Sequence, residues 1–243
     1  MRAAEDAQAH AAVELRLAVD VAVLTVRQGR LGVLAVRGTA GTAWQLPGAP
    51  VPRDEDCDAV AEQLLLVGAG AVTGRDTMFL EQLRTYSAPH RVPGARLISV
   101  AYVALVPELT VPTGASSTSR VFTVDDLEDT GFLAFDHDAI LVDAIERVRS
   151  KLEYTTVATS LVTEPFTIPE LRRVYESVWD VTLHPANFRR KVLATPGFVV
   201  PEADDEARRG PDLYRRGTAA LLHPAMLRPS PESYLQRPSG ASV

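Results

Sequence analysis

Thr167-Ile168-Pro169-Glu170-Leu171 and Pro185-Ala186-Asn187-Phe188-Arg189-Arg190-Lys191 are the two stretches from which the organisation of this chain is read. In the first, Thr167 followed three residues later by Glu170 has the form of a reciprocal helix cap. Ile168, Leu171, Val174, Tyr175, Val178 and Trp179 then recur at helical spacing. In the second, Pro185 suits a first helical turn, where its missing N–H leaves nothing unpaired. Thr195-Pro196-Gly197 stops that helix after Ala194. With Phe188 as the centre of a helical wheel, Val192 and Pro185 fall on the inward arc. Asn187, Arg190, Lys191 and Ala194 fall on the opposite one. Arg189 lies on the flank beside Leu193, placed for a phosphate or for a structural partner. Two short strands are predicted next, Phe198–Val200 and Leu213–Arg216, around a loop from Pro201 to Asp212 with Arg208-Arg209-Gly210 near its tip.

Asn, Arg and Lys on one exposed stripe suit a helix lying in the major groove of DNA, because Arg pairs with guanine edges and Asn with adenine. A solvated basic face is the alternative. The hairpin tip would reach the DNA backbone or minor groove, with Tyr214, Arg215 and Arg216 returning along its second strand; a mixed-charge solvated turn is the alternative there. Glu202, Asp204, Asp205 and Glu206 would repel phosphates and are expected to point away or stay mobile.

Upstream, Asp138–Leu152 reads as a helix with Ile140, Leu141, Ala144, Ile145, Val148 and Leu152 on one face. Residues 16–26, 31–37, 80–86, 95–106, 120–124 and the short apolar run 132–135 read as strands. Gln28-Gly29-Arg30 is a hairpin turn. Around Pro47 and Gly48 any strand should stop. Asp54–Val67 reads as a helix ended by Gly68 and Gly70. Strands, one helix, then more strands indicate α+β rather than repeating βαβ units.

The 243 residues are 46% hydrophobic and 23% charged, a globular composition with room for a sizeable core. A single cysteine, Cys57, excludes an internal disulfide framework and a Cys-based zinc site, and points to a reducing cytoplasm. The best apolar run, Ile98–Val106, falls far short of the roughly 20 residues that span a bilayer, so no membrane partner is expected. Residues 1–10 lack the apolar core of a signal peptide. A net charge of −6 argues against nonspecific coating of nucleic acid. That charge is uneven: residues 1–150 carry a net −7 and residues 151–243 a net +1, which indicates two jobs on one chain.

Leu46-Pro47-Gly48 to Gly70-Ala71 resembles the Nudix box, whose glutamates hold Mg²⁺ or Mn²⁺ and activate water against a nucleoside diphosphate bond. Aligned on its flanks, Glu55 takes the first Glu and Gly70 the last Gly. Gln63 and Leu64 take the Arg-Glu pair, and Val67 and Gly68 the metal-binding Glu pair. The carboxylate cluster that a hard dication needs is missing, so no catalytic residue and no metal site are expected. Phe135-Asp136-His137, Leu152-Glu153-Tyr154-Thr155, Pro165–Leu171 and Asn187-Phe188-Arg189-Arg190-Lys191 resemble the Nudix-related transcriptional regulators of NAD metabolism. Glu81-Gln82-Leu83 and Ser99-Val100-Ala101-Tyr102 agree.

The resemblance implies an α+β chain: a Nudix-like α/β/α sandwich with mixed sheet, then a C-terminal winged helix-turn-helix. The implied order is a flexible lead-in (1–14), an effector domain (15–137), a linker helix (138–155) acting as a lever, a DNA-binding domain (156–222) and an irregular Pro-rich tail (223–243). It implies a homodimeric repressor of NAD biosynthesis or salvage genes that binds operator DNA. ADP-ribose or a related NAD metabolite is the implied effector, and no cofactor is required. The DNA-contacting candidates are Thr167, Asn187, Arg189, Arg190, Lys191, Arg208, Arg209, Tyr214 and Arg215. The ligand-lining candidates are Arg37, Trp44, Gln45, Glu55, Arg84 and Tyr102, with His90 and Arg91 in a loop above. Trp44 and Tyr102 equally suit a plain core, and Arg37 and Arg84 a surface charge. Residual hydrolysis of nucleoside diphosphates through Glu55 is the competing activity.

Overall fold

The computed structural model describes residues 14–38, 43–69, 78–109, 111, 118–127, 131–202 and 210–229. The chain divides into two compact units. One contains the residues up to Thr25 and Gly32–Ala144; the other contains Val26–Leu31 and the residues from Ile145 on.

The first unit is built on a mixed sheet. Strands β1 (Leu15–Arg27) and β2 (Arg30–Arg37) meet at Gln28-Gly29. Both turn residues have positive φ (51° and 75°), the two-residue geometry whose twist matches the strands it joins. Then follow β3 (Trp44–Gln45), β4 (Gly48–Pro50), helix α1 (Cys57–Ala69), β5 (Phe79–Tyr86), β6 (Arg96–Leu105), β7 (Ser119–Thr123) and helix α2 (His137–Tyr154). The strand order is β3-β2-β1-β6-β5, with β4 on the edge of β1 and β7 on β2. β1 and β6 run parallel from Leu15↔Arg96 to Leu24↔Leu105, whereas β4 on β1, β3 and β7 on β2, and β5 on β6 run antiparallel.

Period-two alternation then sets the layers. Val19, Val21 and Val23 of β1, Leu34 of β2 and Tyr102 and Ala104 of β6 pack with Val60, Ala61 and Leu65 of α1. The opposite face carries Asp20 and Tyr86, which meet His137 and Asp143 of α2. Helices therefore cover both faces, as expected of the α/β/α sandwich.

Three local expectations are corrected. Pro47 and Gly48 do not end all pairing: β4 runs antiparallel to Ala18–Asp20, and Pro50, which has no N–H to offer, sits at its last position. Helix α1 starts at Cys57 rather than Asp54, because Asp56 accepts the Ala59 N–H (2.8 Å) as a cap. It runs through Gly68, where a Cβ would lie 2.9 Å from Leu34 Cδ2, so this glycine marks close packing rather than a stop. Residues 132–135 form no strand: Leu133 makes one isolated bridge with Trp44, and Phe135 turns the chain with φ 62°. Gly70 lies outside the described residues.

In the second unit, the C-terminal half of α2 is followed by a buried 3-10 turn (Val157–Leu161), α3 (Ile168–Trp179), α4 (Pro185–Ala194), β8 (Val199–Pro201) and β9 (Tyr214–Arg216). Every predicted core position of α2 and α3 is buried. Two bonds pin the end of α3 to α2: Trp179 Nε1 donates to Arg149 O (3.0 Å) and Arg149 Nε to Val178 O (2.9 Å). Arg216 donates to the hydroxyls of Thr159 (2.8 Å) and Ser160. Residues 224–229 form no helix or strand, yet the chain here is packed: Leu222 and Met226 are buried, and their N–H groups donate to Tyr154 O and Glu153 O (both 2.8 Å). The rest of the Pro-rich tail lies outside the described residues.

Candidate nucleic-acid interface and effector face

Helix α4 is assembled from its ends inward. His184 caps it, its Nδ1 accepting the Asn187 N–H at 3.4 Å, and Pro185 opens it. Phe188 and Val192 are buried, and the Phe188 ring meets Tyr175 edge-on (5.3 Å between centroids), which in turn meets Trp179 (4.9 Å). That aromatic stack fixes the roll of α4 on α3. Asn187, Arg190 and Lys191 are thereby turned to solvent, and none has a side-chain partner among the described residues. Pro185, expected on the inward arc, is exposed instead.

The flanking candidates divide. Arg189 reaches across to Asp212 (2.9 Å), the structural partner of its two expected roles. Thr167 caps α3: its Oγ1 accepts the Glu170 N–H (3.3 Å) while the Thr167 N–H donates to Glu170 Oε2 (2.7 Å). Tyr214 corrects the expectation of a DNA contact. It is buried, and its backbone exchanges hydrogen bonds with Phe166 (2.7 and 2.9 Å), so it anchors the hairpin. Arg215 is held by Glu202 and, at 3.6 Å, by Glu164. Glu202 thus folds back on the hairpin. Arg208, Arg209 and the acids 204–206 lie outside the described residues.

The ligand-lining candidates do not form one group. The Arg37 guanidinium lies 4.5 Å above the Trp44 ring, a cation–π stack, and Trp44 meets Phe122 edge-on at 5.1 Å. The register pairs Arg37 with Trp44 and Val36 with Gln45, so Trp44 and Gln45 point to opposite faces. Glu55 accepts from Gln63 Nε2 (2.7 Å) beside α1. Tyr102 belongs to the core, 3% exposed, with its hydroxyl donated to Asp58; burial and that carboxylate push its pKa up. Arg84 pairs with Asp143 (2.6 Å) and covers the Tyr86 ring. Arg84 sits on β5, four strands from Trp44 on β3 and thus about 19 Å away, too far for a shared diphosphate site. Burial, together with Asp143, pushes the Tyr86 hydroxyl up to about 12.

A buried charged cluster was missed by sequence reasoning. Arg91, expected above a site in a loop, is inside: its guanidinium forks onto Asp136 (2.6 and 2.9 Å) and lies 3.6 Å from Asp20. Ser99 Oγ donates to Asp20. His137 Nδ1 accepts the Leu46 N–H (3.0 Å) while Nε2 faces Asp20 at 3.6 Å. Desolvation holds the His137 pKa down, with Arg91 adding to this and Asp20 and Asp136 opposing it. Gly48 completes the fit, since a Cβ there would lie 2.2 Å from Asp20 Oδ1. The signal was Asp20 itself, a charge inside an apolar strand that demands a cation.

Comparison with known proteins follows the same division. Residues 158–216 match the family model of the NrtR DNA-binding winged helix domain. The ADPR responsive transcriptional repressor NtrR of Acinetobacter baylyi is 31% identical over 209 residues, 82% of this chain and 81% of that protein. The crystal structure of Shewanella oneidensis NrtR is similar with a TM-score of 0.70 at 25% identity, over 85% of this chain and 100% of that one. The same protein complexed with a 27mer DNA gives 0.68 at 26%, over 82% and 93%. Identity of that degree over most of both chains shows that this protein, a Nudix-like domain joined to a winged helix, belongs to the NrtR family.

Proposed function

We propose that the chain is a sequence-specific transcriptional repressor of NAD biosynthesis or salvage genes, acting in the cytoplasm. In this reading α4 enters the major groove of operator DNA, and the first unit senses ADP-ribose or a related NAD metabolite. The observation that carries it is the face of α4: Asn187, Arg190 and Lys191 outward over buried Phe188 and Val192. A relative named as an ADPR responsive repressor and a similar structure complexed with DNA support the same reading. Residues 15–137 are the effector domain, 138–155 the linker helix and 156–222 the DNA-binding domain. Two copies occupy half-sites about one helical turn apart, as paired reading helices require.

The first unit acts as a receptor rather than a hydrolase. Gln63, Leu64, Val67 and Gly68 stand where the box needs its Arg and carboxylates. Glu55, Asp56 and Asp58 are engaged by Gln63, the Ala59 N–H and Tyr102. The Arg37–Trp44 stack is the best-formed candidate for the effector, a guanidinium beside an aromatic face for a diphosphate and a base. An effector moves the DNA equilibrium only by binding one state more tightly.

The experiment titrates a duplex, selected from a random pool by the wild-type chain, with protein in the presence and absence of ADP-ribose. A selected consensus whose affinity shifts with ADP-ribose is expected. Removal of Arg190 should weaken binding by about 1–3 kcal/mol and relax base preference at one position. No consensus, or equal affinity of Arg190→Ala, would refute the groove assignment.

A further inference from the structure

Exposed polar and basic side chains on α4 and the hairpin fall into two sets. Asn187, Arg190 and Lys191 stand without side-chain partners among the described residues, while Arg189 and Arg215 are each matched by carboxylates supplied from the hairpin and the turn before α3. Arg189 holds Asp212 at 2.9 Å, with side chains 48% and 67% exposed. Arg215 holds Glu202 through Nε and through Nη2 (3.1 Å), and Glu164 through Nη1 (3.6 Å). Pairs this open to water and salt add little to stability. Stability therefore does not account for Asp212 and Glu202 on these arginines, whereas Glu164 also accepts the Arg216 N–H (2.8 Å) and is tied to the strand. Arg216 makes the contrast: it is bound by hydroxyls of the 3-10 turn, which tie it into the fold without neutralising it.

We propose that Asp212 and Glu202, with Glu164 behind them, are built-in competitors of DNA phosphate. They hold Arg189 and Arg215 in reserve and set operator affinity below what the basic residues alone would give. This rests on the DNA-binding reading above. A phosphate approaching Arg189 must displace Asp212 or bear its repulsion, so the arginine contributes no net phosphate neutralisation. Affinity in this unit is then limited by acids, and base choice is left to the unpaired residues of α4.

The duplex selected by the wild-type chain is titrated over a series of salt concentrations with Asp212→Asn, Arg189→Ala, the double variant, and Arg190→Ala as a reference. Asp212→Asn is expected to tighten binding about fivefold at low salt and to steepen the log–log salt slope by about one, the increment of one phosphate contact. Arg189→Ala is expected to weaken binding several-fold, because it strips the cation and leaves the Asp212 carboxylate to repel phosphate. The double variant is expected to lose the gain. Glu202→Gln repeats the test at Arg215, and thermal unfolding of each variant checks that the fold is kept. An Asp212→Asn affinity and slope equal to wild type overturn the proposal, as does a gain that persists undiminished in the double variant. If Arg190→Ala weakens binding while Asp212→Asn changes nothing, the reserve fails and the DNA-binding reading stands. If the wild-type chain selects no duplex, both fall.

Discussion

Asp20 lies between Val19 and Val21 in a central strand, and a carboxylate there is tolerated because Arg91, Ser99 and His137 converge on it. A buried charge without such partners would cost several kcal/mol. The histidine has the clearest consequence. Its folded pKa is depressed, so the fold holds it neutral, whereas the unfolded chain takes up a proton below about pH 6.5. Stability from this residue is therefore full above that pH and declines as pH falls. His137→Asn keeps an acceptor for the Leu46 N–H but cannot titrate. Its unfolding temperature should fall less than that of wild type between about pH 7.5 and about pH 5.5; parallel declines would contradict the assignment. Sequence alone did not reach this cluster. Its members come from two strands, a loop and a helix start, and only the three-dimensional fold joins them.

Among the elements, α2, α3 and α4 were legible because their apolar residues repeat at helical spacing and their ends carry Thr, Pro and Gly signals. β3 and β4 were not, since their pairing is decided by the free edges of β1 and β2 and their own residues, Pro and Gly among them, argue against strands. The run 132–135 was apolar enough to be read as a strand, but its burial comes from Leu133 alone and the positive φ of Phe135 breaks the extension. Legibility of the candidate site divides likewise. The outward face of α4 followed from one helix, whereas the lining set failed where it needed residues from β3 and β5 to meet. The cap of α3 is the element-scale test. Thr167→Ala removes one half of a reciprocal pair and should lower stability by about 1 kcal/mol, with Thr167→Ser restoring most of it. Denaturant unfolding followed by Trp179 fluorescence in a Trp44→Phe background reads this directly. An unchanged midpoint would mean that the cap carries no weight.

For the molecule as a whole, the decisive division is between receiving a nucleotide and cutting it. The purified chain incubated with ADP-ribose and Mg²⁺ or Mn²⁺ is expected to release no AMP, and multiple turnover would overturn the receptor reading. The charge asymmetry agrees with separate tasks, an acidic first half beside a second half near neutrality.

Close packing along α1 bears on any attempt to give this protein a hydrolase's chemistry. Leu64 rests against the core of the first unit, and Gly68 leaves less than a methyl group's clearance from Leu34. An engineer who restored glutamates at those two positions would be pressing anions onto an apolar sheet before any cation arrived to neutralise them. Such a redesign has to make room at Leu34 of β2 beneath the helix before the helix can carry the added carboxylates.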